Sequence, residues 1–140
     1  MEAAPLYRAE GNNMQDITKI WRLPISSQKL DERVTFTTGK MSASLQFSYH
    51  EKDDEIKKTA LIIFNHVLSF DYTVLKFTDD TLDAIDALVE IENSFWLQKL
   101  RSRDAMEYDF WHPKHYAIFF YNMGLYQFIA TDYSIEAPAL

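Results

Sequence analysis

The stretch from His115 to Thr131, HYAIFFYNMGLYQFIAT, constrains the fold more than any other part of the chain. It is strongly apolar, and a turn signal interrupts it in the middle. Asn122, Met123 and Gly124 separate two runs rich in aromatic and β-branched residues, and glycine can adopt the positive φ that closes a three-residue hairpin loop with a bulge. The sequence therefore predicts a C-terminal β-hairpin.

A loop over Asn122–Gly124 fixes the expected register of that hairpin. The predicted cross-strand pairs on one face are Phe120–Tyr126, Ile118–Phe128 and Tyr116–Ala130. Each large apolar side chain taken out of water contributes roughly 1.5–3 kcal/mol to stability. Because both faces of the hairpin are apolar, we expect it to lie centrally in a sheet and to be covered on both sides.

The length of 140 residues is enough for one domain with its own core, and a hydrophobic fraction of 47% supports an ordered fold. The expected organisation is an N-terminal arm over 1–13, a single domain over 14–135 and a tail over 136–140. The absence of cysteine excludes disulfides and thiolate metal sites, and it is compatible with a reducing compartment.

The formal net charge of −7 disfavours direct binding to nucleic acid phosphates and is compatible with a basic protein partner. There is no signal-peptide pattern at the N-terminus, and no run approaches the roughly 18 apolar residues of a membrane span. We therefore expect a cytoplasmic protein without nucleic acid or membrane partners.

Alternating or continuously apolar segments predict strands before the C-terminal hairpin. Two of these segments should form a hairpin around Gly39–Lys40, and the segments over 59–67 and 69–77 should form the next pair. In the latter, the alternation predicts that Asp71 points to solvent. The predicted strands are Ile17–Leu23, Val34–Thr38, Ser42–Tyr49, Thr59–Val67, Ser69–Phe77 and Ala87–Glu92.

Asn93–Ser94 can cap a helix that runs to about Arg103, and Thr78–Asp86 suits a shorter helix with acidic residues in its first turn. Asp104–Lys114 contains Pro113 and is predicted to be irregular. The expected fold class is α+β: a predominantly antiparallel β-sheet of about six to eight strands, with one or two short helices and the C-terminal hairpin.

His112 and His115 form the motif H-P-K-H, which could supply two metal ligands from one turn of a helix. Pro113 argues against a helix there, and residues three apart in a strand point to opposite faces. Asp104, Glu107 and Asp109 lie nearby and could orient a histidine as a general base, but no motif ties a nucleophile to them. We therefore expect no metal, no cofactor and no catalytic residue.

Aromatic residues in the predicted loop are the better candidates for a functional surface, because tyrosine and tryptophan are enriched at binding hot spots. Trp111, Tyr108 and Phe110 lie there among polar residues. The acidic residues Asp79, Asp80 and Asp83 would add an electrostatic docking surface for a basic partner, although such clusters are more often a solvated face. The predicted binding residues are Trp111, Tyr108, Phe110, Asp79, Asp80 and Asp83.

Two segments resemble small uncharacterised bacterial proteins, some of which are immunity proteins encoded beside polymorphic toxins. One is Val89–Leu100, VEIENSFWLQKL, and the other joins HYAIFFY from His115 to YQFIA from Tyr126. The resemblance covers about a third of the chain and implies no catalytic residues. This sequence has Gln127 where a carboxylate often occurs in those proteins.

These observations lead to a first hypothesis of a non-enzymatic protein-binding domain, in particular an immunity protein that neutralises a basic toxin by occluding its active site. A second interpretation is a small-ligand-binding or enzymatic domain that uses the His112 and His115 region. A third is a structural subunit that forms a homodimer through its aromatic surface.

Overall fold

The computed structural model describes residues 16–50, 55–74, 84–121 and 123–137. This part of the chain contains nine strands, two α-helices and one turn of 3-10 helix at Ser27–Lys29. The strands are β1 (Asp16–Arg22), β2 (Thr35–Thr38), β3 (Ser42–His50), β4 (Lys57–Asn65), β5 (Ser69–Val74), β6 (Ala87–Glu92), β7 (Lys114–Phe120), β8 (Gly124–Ala130) and β9 (Asp132–Glu136), and the helices are α1 (Phe95–Arg103) and α2 (Ala105–Trp111).

The described strands form two antiparallel sheets, one in the order β1-β6-β7-β8-β5 and the other in the order β2-β3-β4-β9. Alternation along β3 places Ala43, Leu45 and Phe47 in the space between the sheets, where they meet the inner face of β7 and β8. The predicted α+β class with dominant antiparallel β-structure is confirmed. The chain has more strands than expected, and it divides them between two layers.

Aromatic rings hold the two layers together. Phe64 of β4 stacks on Phe128 of β8 with ring centroids 4.1 Å apart, and Phe47 of β3 meets the ring of Phe120 edge-on at 5.9 Å. Every residue of β8 is buried. The predicted central position of the C-terminal hairpin, with cover on both faces, is therefore confirmed.

The register of that hairpin differs from the prediction by two residues. Ile118 lies opposite Tyr126, and Phe120 lies opposite Gly124. The loop therefore begins one residue earlier, at Tyr121. The amide of Met123 closes it by donating a hydrogen bond to the Phe120 carbonyl at 3.0 Å. A shift of two residues leaves every side chain on its predicted face, because the alternation in a strand has a period of two.

The predicted pairing of the segments over 59–67 and 69–77 is wrong. β4 pairs with β3 and β9, whereas β5 crosses to the other sheet and pairs with β8. Asp71 is half-buried rather than fully exposed, and Phe70 and Tyr72 are 49% and 37% exposed. Because β5 is the last described strand of its sheet, its core-facing side chains lie at the margin of the cover from the opposite sheet.

The chain end also departs from the prediction. β9 includes Ile135, which lies opposite Ile62 of β4, and Glu136, which was assigned to a tail. The arm over 1–13 and most of the helix predicted over 78–86 lie outside the described residues. The last three residues of that helix, Ala84–Asp86, form a turn in which Ile85 bridges to Phe119.

Helix α1 begins as the sequence predicts. The Ser94 hydroxyl accepts a hydrogen bond from the Leu97 amide at 3.1 Å, and Ser94 is only 1% exposed.

Replacing this N-cap with alanine, Ser94→Ala, is expected to lower the free energy of unfolding by about 1 kcal/mol, because the Leu97 amide loses its partner. Urea unfolding measures the change. Ser102→Ala, on the exposed face of the same helix, should stay within about 0.5 kcal/mol of wild type; equal losses in both variants would contradict this assignment.

Candidate protein-binding surface

The segment predicted to be irregular, Asp104–Lys114, contains helix α2, and this corrects the sequence analysis. Asp104 ends α1 and caps α2, because its carboxylate accepts a hydrogen bond from the Glu107 amide at 3.1 Å. His112 ends α2 in the left-handed conformation, with φ of 50°. Pro113 follows this terminus and does not interrupt the helix, so the proline indicated the helix end rather than a loop.

The two faces of α2 differ sharply in burial. Tyr108 is half-buried and packs with Leu100 against the cluster of Trp96, Leu97 and Ile129 on the outer face of the five-stranded sheet. The guanidinium of Arg101 lies 5.7 Å from the centre of the Tyr108 ring. Of the predicted binding residues, Tyr108 therefore attaches the helix to the sheet.

On the outer face of α2, Met106 and Phe110 are 83% and 72% exposed. They are four residues apart, so they lie one above the other on the helix. We call Met106, Phe110 and Trp111 the α2 surface. The sequence analysis found Phe110 and Trp111 but missed Met106. The spacing of Met106, Phe110 and inward-facing Tyr108 would have revealed it if a helix had been predicted.

Trp111 is held in place from two sides. Its indole N–H donates to Glu107 Oε2 at 3.0 Å. Its ring lies 5.3 Å from that of His66 in the turn between β4 and β5, and 5.1 Å from that of Phe110, measured between centroids. The indole is thus fixed at one side of the α2 surface, with part of its area still accessible to solvent.

Charged side chains lie near these apolar residues, with Arg101 and Arg103 exposed in the last turn of α1. Asp104, Glu107 and Asp109 are all exposed on or beside α2. The predicted acidic residues Asp79, Asp80 and Asp83 lie outside the described residues. An apolar centre with a charged margin is the usual arrangement at protein–protein contacts.

The structure separates the two histidines of the H-P-K-H motif. His112 is exposed at the end of α2, whereas His115 is fully buried under the Trp96 ring, with centroids 5.2 Å apart. No group of three or more His, Asp or Glu side chains suited to a metal ion occurs within the described ranges. The second interpretation requires the two histidines to converge on one pocket, and they do not.

His115 instead forms a buried polar pair with Gln127. Its Nε2–H donates to Gln127 Oε1 at 2.8 Å. Within the described part of the chain, His115 Nδ1 and Gln127 Nε2 are buried without a hydrogen-bond partner. Burial lowers the pKa of His115 from 6.5 to about 4, and the hydrogen bond that His115 donates to Gln127 offsets part of that effect. His115 is therefore neutral near pH 7.

No family model, curated protein or solved structure matches this chain. In the described residues, neither helix is long and apolar enough to cross a membrane. The geometry of the surface and its chemistry are therefore the basis for a functional proposal.

Proposed function

We propose that this chain is a non-enzymatic protein-binding domain that docks a basic partner through the α2 surface. The observation that carries the proposal is the exposure of Met106 and Phe110, which exceeds that of the other large apolar side chains in the described ranges. Exposing adjacent apolar side chains to water is unfavourable, and a partner that covers them recovers this free energy.

The arrangement of the α2 surface favours binding because its parts are already ordered. Tyr108 attaches the helix to the sheet, and the bond from Trp111 to Glu107 fixes the indole. A partner that covers Met106 and Phe110 therefore has little backbone to immobilise. Lower ordering costs leave more of the contact free energy for affinity.

The charge of the chain supports a basic partner. The net charge is −7, and Asp104, Glu107 and Asp109 are exposed on or beside α2. Such a margin accelerates encounter with a positively charged surface and repels acidic proteins. We expect the association rate to fall as salt is added, because exposed charges are screened.

The partner we propose is a bacterial toxin, and the chain would act as its immunity protein. The resemblance of Val89–Leu100 and the C-terminal hairpin to immunity-like proteins supports this identity. Inhibition would be steric: the α2 surface covers the toxin's active site, and no bond is made or broken. A nuclease or another toxin with a basic active-site cleft fits the acidic margin best.

Co-expression with the product of the adjacent gene tests this proposal. The double variant Met106→Ser/Phe110→Ser is expected to weaken the complex at least about 30-fold, since buried apolar anchors carry most of the binding free energy. Because both side chains are exposed, the variant's stability should stay within about 0.5 kcal/mol of wild type. Affinity is measured by titration of the purified partner, and protection by growth of the co-expressing cells.

Ile56→Ser is the matched control. Ile56 is 66% exposed and lies just before β4, at the end remote from His66 and α2. The nine residues of β4 separate these ends by about 30 Å. Loss of binding in both variants, or undiminished binding in the double variant, would count against the α2 surface. Absence of any complex or growth protection would count against the immunity role.

A further inference from the structure

The two helices form an insertion between neighbouring strands. β6 and β7 pair directly, with Val89 opposite Ala117, and α1 and α2 occupy the connection between them. At each end of this insertion a residue has the left-handed conformation, Asn93 with φ of 54° and His112 with φ of 50°. Rotation of the backbone at these two positions would move the helices and leave β6 and β7 paired.

Few side chains attach the helix pair to the sheet. Of the nine residues of α1, only Trp96 and Leu97 are buried, and no residue of α2 is buried. Leu100 and Tyr108 add half-buried contacts to the same cluster, which rests on Ile129 of β8. The core between the sheets includes none of these residues. Segments with so little buried apolar surface are the first to open locally in a folded protein.

The sheet surface beneath this attachment holds the buried pair of His115 and Gln127. The Trp96 ring meets the His115 ring edge-on, at an interplanar angle of 82°. Among the described residues, neither His115 Nδ1 nor Gln127 Nε2 has a hydrogen-bond partner. The docked helices therefore keep two polar atoms from water without replacing their hydrogen bonds, which costs free energy. A proton on Nδ1 would add a buried charge at the same place.

Within the described ranges, His115 forms no ion pair that would stabilise that charge. Glu90 of β6 alternates to the opposite face of the sheet, and Tyr108 is the titratable side chain that α2 directs to this cluster. Asp71 of β5 lies opposite Gln127, two strand spacings or about 10 Å from β7. The other charged residues of β6, α1 and α2 are exposed, namely Glu92, Lys99, Arg101, Arg103, Glu107 and Asp109. A protonated His115 therefore gains stabilisation mainly from water.

We propose that protonation of His115 detaches α1 and α2 from the sheet, with the two sheets still folded, and so dismantles the α2 surface. This role rests on the proposal that the α2 surface binds a partner. Detachment lets water solvate the imidazolium and both unpaired polar atoms. It also releases Tyr108 from the sheet and separates Trp111 from His66, so a partner would have to order the helices again.

The expected pH dependence follows from the two environments of His115. Its pKa is about 4 in the docked form and returns to 6.5 when water reaches the imidazole. The detached form binds the proton more tightly, so acid favours detachment. Its population is expected to rise about 10-fold per pH unit between 6.5 and 4, or about 300-fold in total. Docking is therefore strongest above pH 6.5 and weakest below pH 4.

Methyl NMR of the full chain between pH 7 and 4 tests the proposal without a partner. The methyl groups of Ile129 report the contact with the helices, and those of Ile62 report the core between the sheets. We expect relaxation dispersion and peak intensities to show a second environment of Ile129 that grows about 10-fold per pH unit, while Ile62 keeps its signal. An unchanged Ile129 down to pH 4, or a joint change of Ile129 and Ile62, would overturn the proposal.

The double variant His115→Leu/Gln127→Leu removes the titrating group and both unpaired atoms. In this variant the Ile129 signals should stay constant over the same pH range, and a response equal to that of wild type would overturn the role of His115. The comparison of Ile129 with Ile62 in wild type needs no variant, so the test does not depend on how well the variant folds.

Binding measurements separate this inference from the proposed function. With a purified partner, acid should weaken the wild-type complex more than the complex of the double variant. Equal weakening of both complexes would overturn the release of the α2 surface by His115. Absence of any complex at pH 7 would overturn the proposed function and leave the detachment to be decided by the NMR titration.

Discussion

Replacing Gly124 with alanine is expected to destabilise the protein by at least about 3 kcal/mol, a large share of the stability of a domain of this size. Gly124 has a φ of +133°, a region that side chains rarely allow, and a Cβ on it would lie 2.2 Å from the carbonyl oxygen of Thr73. The backbone of β5 can avoid this contact only by moving away from β8. We expect Gly124→Ala to fold poorly and to unfold at a much lower urea concentration.

Gly39 provides the matched control. A Cβ at Gly39 would meet only the Ser42 hydroxyl, at 3.1 Å, and rotation of that side chain relieves the contact. Gly39→Ala should therefore change the free energy of unfolding by less than about 1 kcal/mol, since the substitution also restricts the unfolded chain. Similar stabilities of the two variants would contradict the close approach of β5 to β8 at Gly124.

Lowering the pH from 7 to 4 is expected to remove about 3 kcal/mol of stability through His115 alone. The pKa of its imidazole is about 4 in the folded protein and 6.5 when unfolded. Between these values the unfolded chain binds the additional proton, so stability falls as the pH decreases below about 6.5 and the loss is complete below about 4. Urea unfolding at several pH values measures it.

The double variant His115→Leu/Gln127→Leu isolates this contribution from the carboxylates that also titrate. It removes both partners of a buried pair that leaves two polar atoms unsatisfied, so its stability at pH 7 should be near that of wild type or higher. Its stability should decline less between pH 6.5 and 4. Parallel pH profiles of the two proteins would contradict a neutral, buried His115.

The sequence predicts most reliably the elements whose signals are local. Three such signals are the alternation in β3, the Ser94 cap and the apolar runs around Gly124. Each depends on residues close together in the chain, and each predicts its strand, helix or hairpin at nearly the observed position. The hairpin register was two residues off because the position of the loop depends on the fit of Gly124 against β5, which is a contact between distant segments.

The errors arise where tertiary contacts decide the structure. The pattern of β5 does not show which sheet it joins, and Asp71, predicted to point to solvent, is half-buried. Helix α2 was missed because its seven residues are stabilised by the Asp104 cap and by the packing of Tyr108, and its pattern alone is short. One error concerns β5 and the other α2, the two elements where this fold leaves the apolar side chains Phe70, Met106 and Phe110 exposed.

Those exposed side chains share a physical origin. Met106 and Phe110 on α2, and Phe70 on β5, are apolar side chains that this fold leaves exposed, whereas most of the described apolar residues fill the core between and outside the sheets. The two elements differ in charge, since Glu107 and Asp109 lie in α2 and Asp71 is the one charged residue within β5. A basic protein is the partner that we propose for the α2 surface.

Photocross-linking in cells that co-express the adjacent gene product tests most directly whether the protein acts by contact through α2. A photoreactive phenylalanine analogue replaces Phe110 in one variant and Ile56 in another, so one probe lies on α2 and the other just before β4. The account predicts a cross-link to the partner from position 110 and none from position 56. A complex that cross-links from position 56, or that forms without any cross-link from position 110, would contradict it.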